Sequence, residues 1–512
     1  MSRFHINKHG VPAPCKAEHG KCPLGDNSEH FSSQEEAQNY IDDKFVSEFG
    51  LLGDVNRPSE PQTLNEKLSK VFNQKDVEIL NKLDEAGFEA YFVGGSLRDA
   101  VIGLPINDVD ITTSATPEEV IQVFSDYNVL PIGIEHGTVV VMYEDEQVEI
   151  TTFRQDGEYS DGRRPDAVYF TKSLEEDIAR RDFTINSLAY NPKEGLVDFV
   201  GGIEDINNRV IKAVGDPDKR FQEDPLRIMR GLRFASKLGF DIENKTESSI
   251  FKNKGLLKNV SAERLQVEFN GLLMGKNSKE VLTKYSSVIS EFIPEIKPMI
   301  GFDQKNPHHL YDVWEHSAAV VENAENDVVH KLAAVFHDSG KPATFTIDDK
   351  GVGHFLGHAD ESVKIAEQAL TRLRYDNKTK QRVLNLISGH DENLSTKKYK
   401  IGKAIYEYGP ERYLDTLRFI RADDKGKNLS YSNRFNTIDK IENMAKEYLK
   451  NEPILTRKDL AIEPKDIIDL GFKGKEIGDM LDKLALLVIS GHKNERESQI
   501  NYLIKNEVKQ RG

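Results

Sequence analysis

Two groups of residues in this sequence have the types and spacing to do chemistry. The first is Gly94-Gly95-Ser96-Leu97-Arg98-Asp99, followed by Asp108-Val109-Asp110. A Gly-Gly pair at a strand-to-helix turn lets backbone N–H groups come close to a triphosphate. Arg98 would add positive charge there. Two carboxylates two residues apart on a strand point to one face. There they can hold two Mg²⁺ ions, which clamp the attacking and leaving oxygens of an in-line displacement. Glu149, in VEITTF, supplies a third carboxylate if its strand lies alongside. A lone Gly-Gly is ordinarily a turn, and a lone Asp-x-Asp a solvated edge. At this spacing, after an apolar run, the two together point to metal-assisted transfer.

The second group is spread further. It comprises His316 in HHLYDVWEHSAAVV, His337-Asp338 in VFHDSGKPATF, and His354 and His358 in HFLGHADESVKIA. It continues with His390-Asp391 in LISGHDEN and Asp423-Asp424 in RADDKGKN. Imidazoles and carboxylates gathered from several helices suit a transition metal or Mg²⁺. Such an ion lowers the pKa of a bound water, which can then attack a phosphoester. A single buried histidine is more often a hydrogen-bonded core residue. A contiguous His-Asp in an apolar helix is harder to explain that way.

The elements that would position these groups can be read from periodicity. TLNEKLSKVFNQKDVEILNKLDEA (63–86) has helical spacing. EAYFVGG reads as a short strand, SLRDAVIG as a helix start and NDVDITTS as a strand edge. TVVVMYEDEQVEITTF reads as two strands around an acidic turn. From Leu174 onward the strand signal fades. The expected fold class is therefore an α/β head, with a small mixed sheet and helices, followed by an almost all-α remainder.

The 512 residues suffice for several domains of ordinary size. No apolar run approaches the ~20 residues needed to span a bilayer. MSRFHINKHG has no apolar core of a secretory signal. Only two cysteines occur, Cys15 and Cys22, so a disulfide framework is excluded and a reducing cytoplasm is expected. Residues 1–60 read as a small separate segment of unknown role. Cys15 and Cys22 lie there with His5, His9, His19 and His30, but C-x₆-C does not match the usual zinc spacing. The net charge of −16 argues weakly against a nucleic-acid partner. A local basic face can coexist with that sum.

The motifs run in a recognisable order. GGSLRDAVIGLPINDVDITTSATPEEV resembles the first motif of class II tRNA nucleotidyltransferases, the bacterial CCA-adding type within the polymerase-β-like superfamily. EITTFRQDGEYSDGRRPDAVYF is similar to that family's flexible-loop region. ARRDFTINSLAYNP (179–192) resembles its second motif and VDFVGG (197–202) its third. RFQEDPLRIMRGLRFASKLGF resembles its nucleotide-template motif and SAERLQVEF the next, so the match spans about residues 70–275. The resemblance implies that Asp108, Asp110 and Glu149 are catalytic, with Mg²⁺ on Asp108 and Asp110. It implies nucleotide contacts from Gly95, Ser96, Arg98, Arg181, Asp182, Asn186, Asp224, Arg227, Arg230 and Arg233.

Glu223, Asp224 and Arg227 resemble the set that serves as a protein template. A carboxylate can accept from the exocyclic amine of cytosine or adenine while a guanidinium donates to the adjacent ring acceptor. One pair can thus read C and A and reject U and G. At i, i+3, Asp224 and Arg227 are expected on one helix face. Bacterial poly(A) polymerases usually carry a basic-aromatic element where this chain has IGIEHGTVVV. CC-only enzymes lack the flexible-loop element, which DGEYSDGRRP (156–165) supplies here. Stepwise addition of C, C and A to tRNA from CTP and ATP is therefore expected. A poly(A) polymerase, a partial CC or A adder, and a hydrolase with an RNA-binding scaffold remain as alternatives.

The histidine pattern resembles the HD phosphohydrolase superfamily, in which the order H…HD…D supplies metal ligands. That implies His316, His337, Asp338 and Asp423 around a divalent metal of unspecified identity, with adjacent Asp424 as the competing choice. His354, His358 and His390 would contact phosphate or a second metal. The expected domains are the 1–60 segment, a nucleotidyltransferase head over 61–195 and a helical neck with the template motif over 196–300. An HD domain follows over 301–430, then a helical tRNA-contacting region over 431–512. In that last region Lys473, Lys475, Lys493 and Arg496 could meet phosphates or simply form a solvated face.

Overall fold

The computed structural model describes residues 64–508, save 107, 144–145, 158–166, 306–310, 428–432 and 452, together with three short strands near the N-terminus. The chain divides into two compact units, Met1–Lys67 and Leu68–Gly512. In the first, β1 (Phe4–Ile6) pairs antiparallel with both β2 (Pro12–Pro14) and β3 (His30–Phe31). Cys15, Cys22, His9 and His19 lie outside the described residues.

The second unit opens with a mixed seven-stranded sheet in the order β12-β11-β4-β5-β8-β7-β6. β4 is Ala90–Val93, β5 Asp110–Thr113, β6 Asn128–Leu130, β7 Thr138–Tyr143 and β8 Glu146–Thr152. β11 is Ala189–Asn191 and β12 Gly195–Val197. Within this sheet, among the described residues, only β5 and β8 run parallel, and every residue of β4 is buried. β4 is a continuous apolar run because both of its faces are covered. Phe92 stacks on Phe72 with ring centroids 4.0 Å apart. β9 (Arg154–Asp156) and β10 (Val168–Phe170) form a separate antiparallel pair.

The two last strands of the sheet depart from the sequence reading, which saw the strand signal end near Leu174. β11 and β12 are a three-residue hairpin around NPKEG, too short to show alternation. The 195/196 boundary falls within β12. Beyond it the chain is helical, interrupted only by two-residue pairings of β13 (Val210–Ile211) with β14 (Asp241–Ile242) and of β15 (Thr346–Ile347) with β16 (Gly353–His354) among the described residues.

The neck is built on helices Pro217–Glu223, Leu226–Leu238 and Ala262–Leu273. Val313–Asn323, opened by an Asp312/Glu315 capping box, and Val328–Phe336 are buried nearly all round. Trp314 donates from its indole nitrogen to the Leu282 carbonyl at 2.9 Å, tying the first of these helices to the neck. Near the C-terminus, Ile467, Phe472, Leu484 and Leu503 centre a separate core.

Candidate functional site

The head site starts at the end of β4. Gly94 has φ +76°, and a Cβ there would stand 3.0 Å from Asp110 Oδ2. Glycine is therefore required twice, for the backbone angle and for the closeness of the carboxylate. Helix Gly94–Ile102 begins at that turn and ends on left-handed Gly103. β5 starts at Asp110, so Asp108 stands just before the strand and is exposed, whereas Asp110 is half-buried. The parallel ladder sets Asp110 opposite Glu149, and the two project on one face. Burial, then the charges of Glu149 and Asp108, push the Asp110 carboxyl up to about 6 against the opposing pull of Arg181. The three expected carboxylates thus act on one another, and the Arg181 charge acts on Asp110.

A buried chain of polar contacts leads away from this face. Arg98 is 3% exposed and sits under the Gly95 turn. It donates to Asp99 Oδ1 at 2.6 and 2.8 Å and to Asn186 Oδ1 at 2.6 Å. Asn186 donates to Asp182 Oδ1 at 3.2 Å, and Asp182 Oδ2 accepts from Arg230 Nε at 2.7 Å. Burial raises the Asp182 carboxyl, but Arg230 and the bonds from Asn186 and the Phe183 N–H outweigh it and hold it near 2. Arg98, Arg230 and Arg233 all pack on the ring of Phe234, at 5.0, 5.5 and 4.3 Å. The Arg98 guanidinium, expected to add positive charge at the Gly-Gly turn, is engaged by Asp99 and Asn186 inside the protein. The Ser96 hydroxyl likewise donates to the Val93 carbonyl at 3.2 Å.

The template residues differ from expectation in one respect. Asp224 and Arg227 do not share a helix face. Asp224 ends helix Pro217–Glu223 in extended conformation (φ −140°, ψ 100°), and Arg227 opens the next helix. The reason is Pro225, whose ring excludes its predecessor from helical angles. Asp224 Oδ2 accepts from Arg264 at 2.7 Å, while Arg227 donates to Glu223 at 2.8 Å and to the Arg180 carbonyl at 3.1 Å. Arg233 donates to Glu268 at 2.5 Å. Arg264 and Glu268 were missed at these roles, although both lie in SAERLQVEF, three and seven residues past the serine that precedes the helix.

The second cluster is deeply buried, with His316, His337, Asp338 and Asp423 all at most 3% exposed. His316 Nε2 lies 2.9 Å from Asp423 Oδ1 and 3.5 Å from Asp338 Oδ2. His337 Nε2 lies 3.3 Å from Asp338 Oδ2 and 3.5 Å from Asp423 Oδ1. His358 and His390 approach the other oxygen, Asp338 Oδ1, at 3.5 and 3.7 Å. Gly340 makes this possible: a Cβ there would stand 2.4 Å from the His358 carbonyl, so only glycine lets helix His358–Arg372 come this close. His316, His337 and Asp338, and separately Asp338, His358 and His390, are each clustered tightly enough to share an ion. Imidazole nitrogens with carboxylate oxygens are a donor set that fits a divalent transition metal.

Asp423 faces the histidines, and Asp424 turns away toward Arg434 at 3.1 Å. His354 does not join the cluster; it is exposed on the β15–β16 hairpin, 3.0 Å from Asp348. Burial depresses His316, whereas in His337 the neighbouring Asp338 and Asp423 overcome burial and lift it to about 9. Two lysines escaped the sequence reading. Lys341 Nζ stands 2.7 Å from Asp338 Oδ2, and Lys427 Nζ 2.5 Å from Asp423 Oδ2. Their signal was one helical turn of spacing from each aspartate. In the C-terminal region Arg496 is engaged by Asp466 and Lys493 by Glu495, so half of the expected basic set already has acidic partners.

Comparison with known proteins gives these sites their context. The chain matches the Poly A polymerase head domain over residues 90–212 and the probable RNA and SrmB-binding site of polymerase A over 239–298. It matches the HD domain over 308–444. It is 35% identical over 429 residues to the CCA-adding enzyme of Ligilactobacillus salivarius (strain UCC118), covering 82% of this chain and 93% of that one. It is 50% identical over 221 residues to the Enterococcus faecalis (strain ATCC 700802 / V583) enzyme, covering 43% and 54% respectively. The fold is similar to the crystal structure of the Bacillus stearothermophilus CCA-adding enzyme in complex with CTP, with a TM-score of 0.65 at 28% identity over 86% of this chain and 98% of that one. With the head carboxylates, the template junction and the histidine cluster all on one chain so related, this protein belongs to the CCA-adding enzymes, the bacterial-type tRNA nucleotidyltransferases, and carries an HD domain.

Proposed function

We propose that this chain adds C, C and A in turn to the 3′ end of tRNA, drawing on CTP and ATP and using no nucleic-acid template. The observation that carries the reading is the in-register pairing of Asp110 with Glu149, with Asp108 beside them. Asp108 and Asp110 would hold Mg²⁺, and Glu149 would complete the acidic face. Bound there, the metal supplies charge neutralisation at the triphosphate and at the attacking hydroxyl. The chain's own residues do the positioning. The Gly94-Gly95 turn offers backbone N–H groups to the phosphates, and Arg181 balances charge at the carboxylates. Asp182 and Asn186 order the arginine layer. Asp224 and Arg227 read the base, held by Arg264 and Glu223. The tRNA 3′ oxygen forms a bond to the α-phosphorus, the α–β bridging bond breaks, and pyrophosphate leaves. The flexible-loop segment on which full CCA addition was inferred lies mostly outside the described residues.

The buried imidazole–carboxylate cluster favours a second reaction, metal-dependent hydrolysis of a phosphoester. His316, His337, Asp338 and Asp423 would hold one divalent ion. His358 and His390, sharing Asp338 through its other oxygen, would hold a second ion or a substrate phosphate. No helix among the described residues is long and apolar enough to cross a membrane. The low cysteine count suits action in the cytoplasm.

The deciding experiment is incorporation. Purified chain with Mg²⁺ receives tRNAs ending at the discriminator base, at C and at CC, with CTP, ATP or both, and products are resolved at single-nucleotide length. Ordered addition that stops at CCA, and is lost in Asp108→Ala and Asp110→Ala, is expected. A long A-tail would replace the reading with poly(A) synthesis, and arrest at CC with partial addition.

A further inference from the structure

Asp177 has no part in the functions above, yet its carboxylate is fully enclosed, at 0% exposure. A carboxylate removed from water persists only when it is paired and hydrogen-bonded. Here the partners come from three directions. Oδ1 accepts from Arg180 at 2.7 and 2.9 Å and from the Arg154 N–H at 3.3 Å. Oδ2 accepts from Arg181 at 3.0 Å and from the Thr112 hydroxyl at 3.4 Å. Thr112 is on β5, two residues beyond Asp110 and therefore on the same face of the strand. Arg154 opens β9.

The two arginines matter most. Arg180 and Arg181 are adjacent, at i+3 and i+4 from Asp177, and both curl back onto the one carboxylate. Holding two successive side chains to one anchor fixes the peptide between them. That peptide carries the Arg180 carbonyl, which accepts from Arg227 at 3.1 Å. The preceding carbonyl, of Ala179, accepts from Arg220 at 3.3 Å. Arg181, on the other side, is held by the same Asp177 oxygen that accepts from Thr112, which shares the Asp110 face of β5. One buried carboxylate thus connects the residue proposed to read the base with the face proposed to hold the metal.

We propose that Asp177 is a positioning residue that couples base reading to nucleotidyl transfer. Through Arg180 it sets the register of Arg227, and through Arg181 it sets the charge beside Asp108, Asp110 and Glu149. A correct base seated against Arg227 and an α-phosphate seated at the carboxylates are then aligned by the same anchor. This rests on the nucleotidyltransferase reading given above. A purely structural carboxylate at this place would support folding without affecting which nucleotide is chosen.

The test is single-turnover incorporation by the full chain, with CTP and with UTP as the wrong pyrimidine, on tRNA ending at the discriminator base. Asp177→Asn keeps the volume and removes the charge, leaving two adjacent guanidiniums without their anchor. The maximal rate with CTP should fall by about 10- to 100-fold, the scale of a small misalignment of reacting groups, while KM for CTP changes little. Preference for CTP over UTP should fall roughly tenfold. That loss should not add to the loss caused by Arg227→Lys, because contacting residues in one network couple. A lower melting temperature with unchanged selectivity, or with losses that simply add, would overturn the proposal. Should Asp177→Asn not fold, Arg180→Ala carries the same test, and unchanged CTP-over-UTP preference in that variant overturns it equally. Absence of CTP incorporation by the unaltered chain would instead defeat the nucleotidyltransferase reading itself.

Discussion

At the scale of single residues, the head site is defined by how close Gly94 and Asp110 come. Alanine at 94 combines a strained φ of +76° with a Cβ 3.0 Å from Asp110 Oδ2. Such strain costs of order 1–3 kcal/mol. Gly94→Ala should stay folded, with a lower melting temperature, and lose incorporation far out of proportion to that destabilisation, because the displaced atom is a proposed metal ligand. Chemical denaturation and single-nucleotide extension measured side by side check this. Asp110 also sets a pH dependence. Its carboxyl stands at about 6 because of burial first and the Glu149 charge second. A raised acid binds its proton more tightly when folded. Its contribution to the metal-free fold is therefore full below the unfolded carboxylate range and is lost as pH rises through about 6. Protons and Mg²⁺ then compete for the same oxygens. The Mg²⁺ concentration needed for half-maximal incorporation should rise steeply as pH drops below about 6, and Glu149→Gln should move that rise to lower pH. A Mg²⁺ requirement flat from pH 7 to 5 would refute this.

At the scale of elements, the Asp182–Arg230 contact pins the 3₁₀ turn Thr184–Asn186 to the neck helix Leu226–Leu238. Asp182 is held near 2, so the pair contributes stability above the unfolded carboxylate range, near pH 4, and loses it as pH falls toward 2. Arg230 is 36% exposed, so solvent screening reduces the gain to about 1–2 kcal/mol. Asp182→Asn should remove that amount at pH 7 and flatten the acid limb of the unfolding free energy between pH 4 and 2, measured with urea. The same junction shows what the sequence disclosed and what it hid. The apolar run before Gly94 was enough to locate the strand-to-turn junction, because such a run is local, whereas the D-x-D pair was read as lying on one strand and β5 begins only at Asp110. The partnership of Glu149 with Asp110 was conditional on a strand pairing that no local pattern encodes. Asp224 and Arg227 were misread for the opposite reason. Their spacing suggested a continuous helix, while Pro225 between them carried the contrary signal. The β11–β12 hairpin went unseen because three residues are too few for a period to register. Lys341 and Lys427 had visible spacing but no visible function until the fold brought both to the histidine cluster.

At the scale of the whole molecule, two candidate centres of different chemistry occupy one chain. The head depends on carboxylates near its surface, with Asp108 exposed and Asp110 half-buried. The HD cluster is enclosed, with His316 at 1% and His337 at 0% exposure. The two sets share no residue and no hydrogen-bond partner among the described contacts. The buried chain from Arg98 ends at Arg230, Arg233 and Glu268 in the neck, whereas the histidines are held from helices Val313–Asn323, His358–Arg372 and Pro410–Gly426. Sites with no common partner ordinarily respond independently. His337→Gln puts an amide of similar bulk in place of the imidazole and so removes one ligand from the cluster. It should lower bound transition metal, measured by elemental analysis after metal loading, and abolish metal-dependent phosphoester hydrolysis. Incorporation of C and A on tRNA should remain within about twofold of the unaltered chain. The converse variant, Asp110→Ala, should end incorporation and leave metal content at the histidines unchanged. If His337→Gln instead lowered incorporation as far as hydrolysis, the neck contact through Trp314 and Leu282 would have to transmit the state of one centre to the other, and the two reactions would be linked rather than merely joined in one chain.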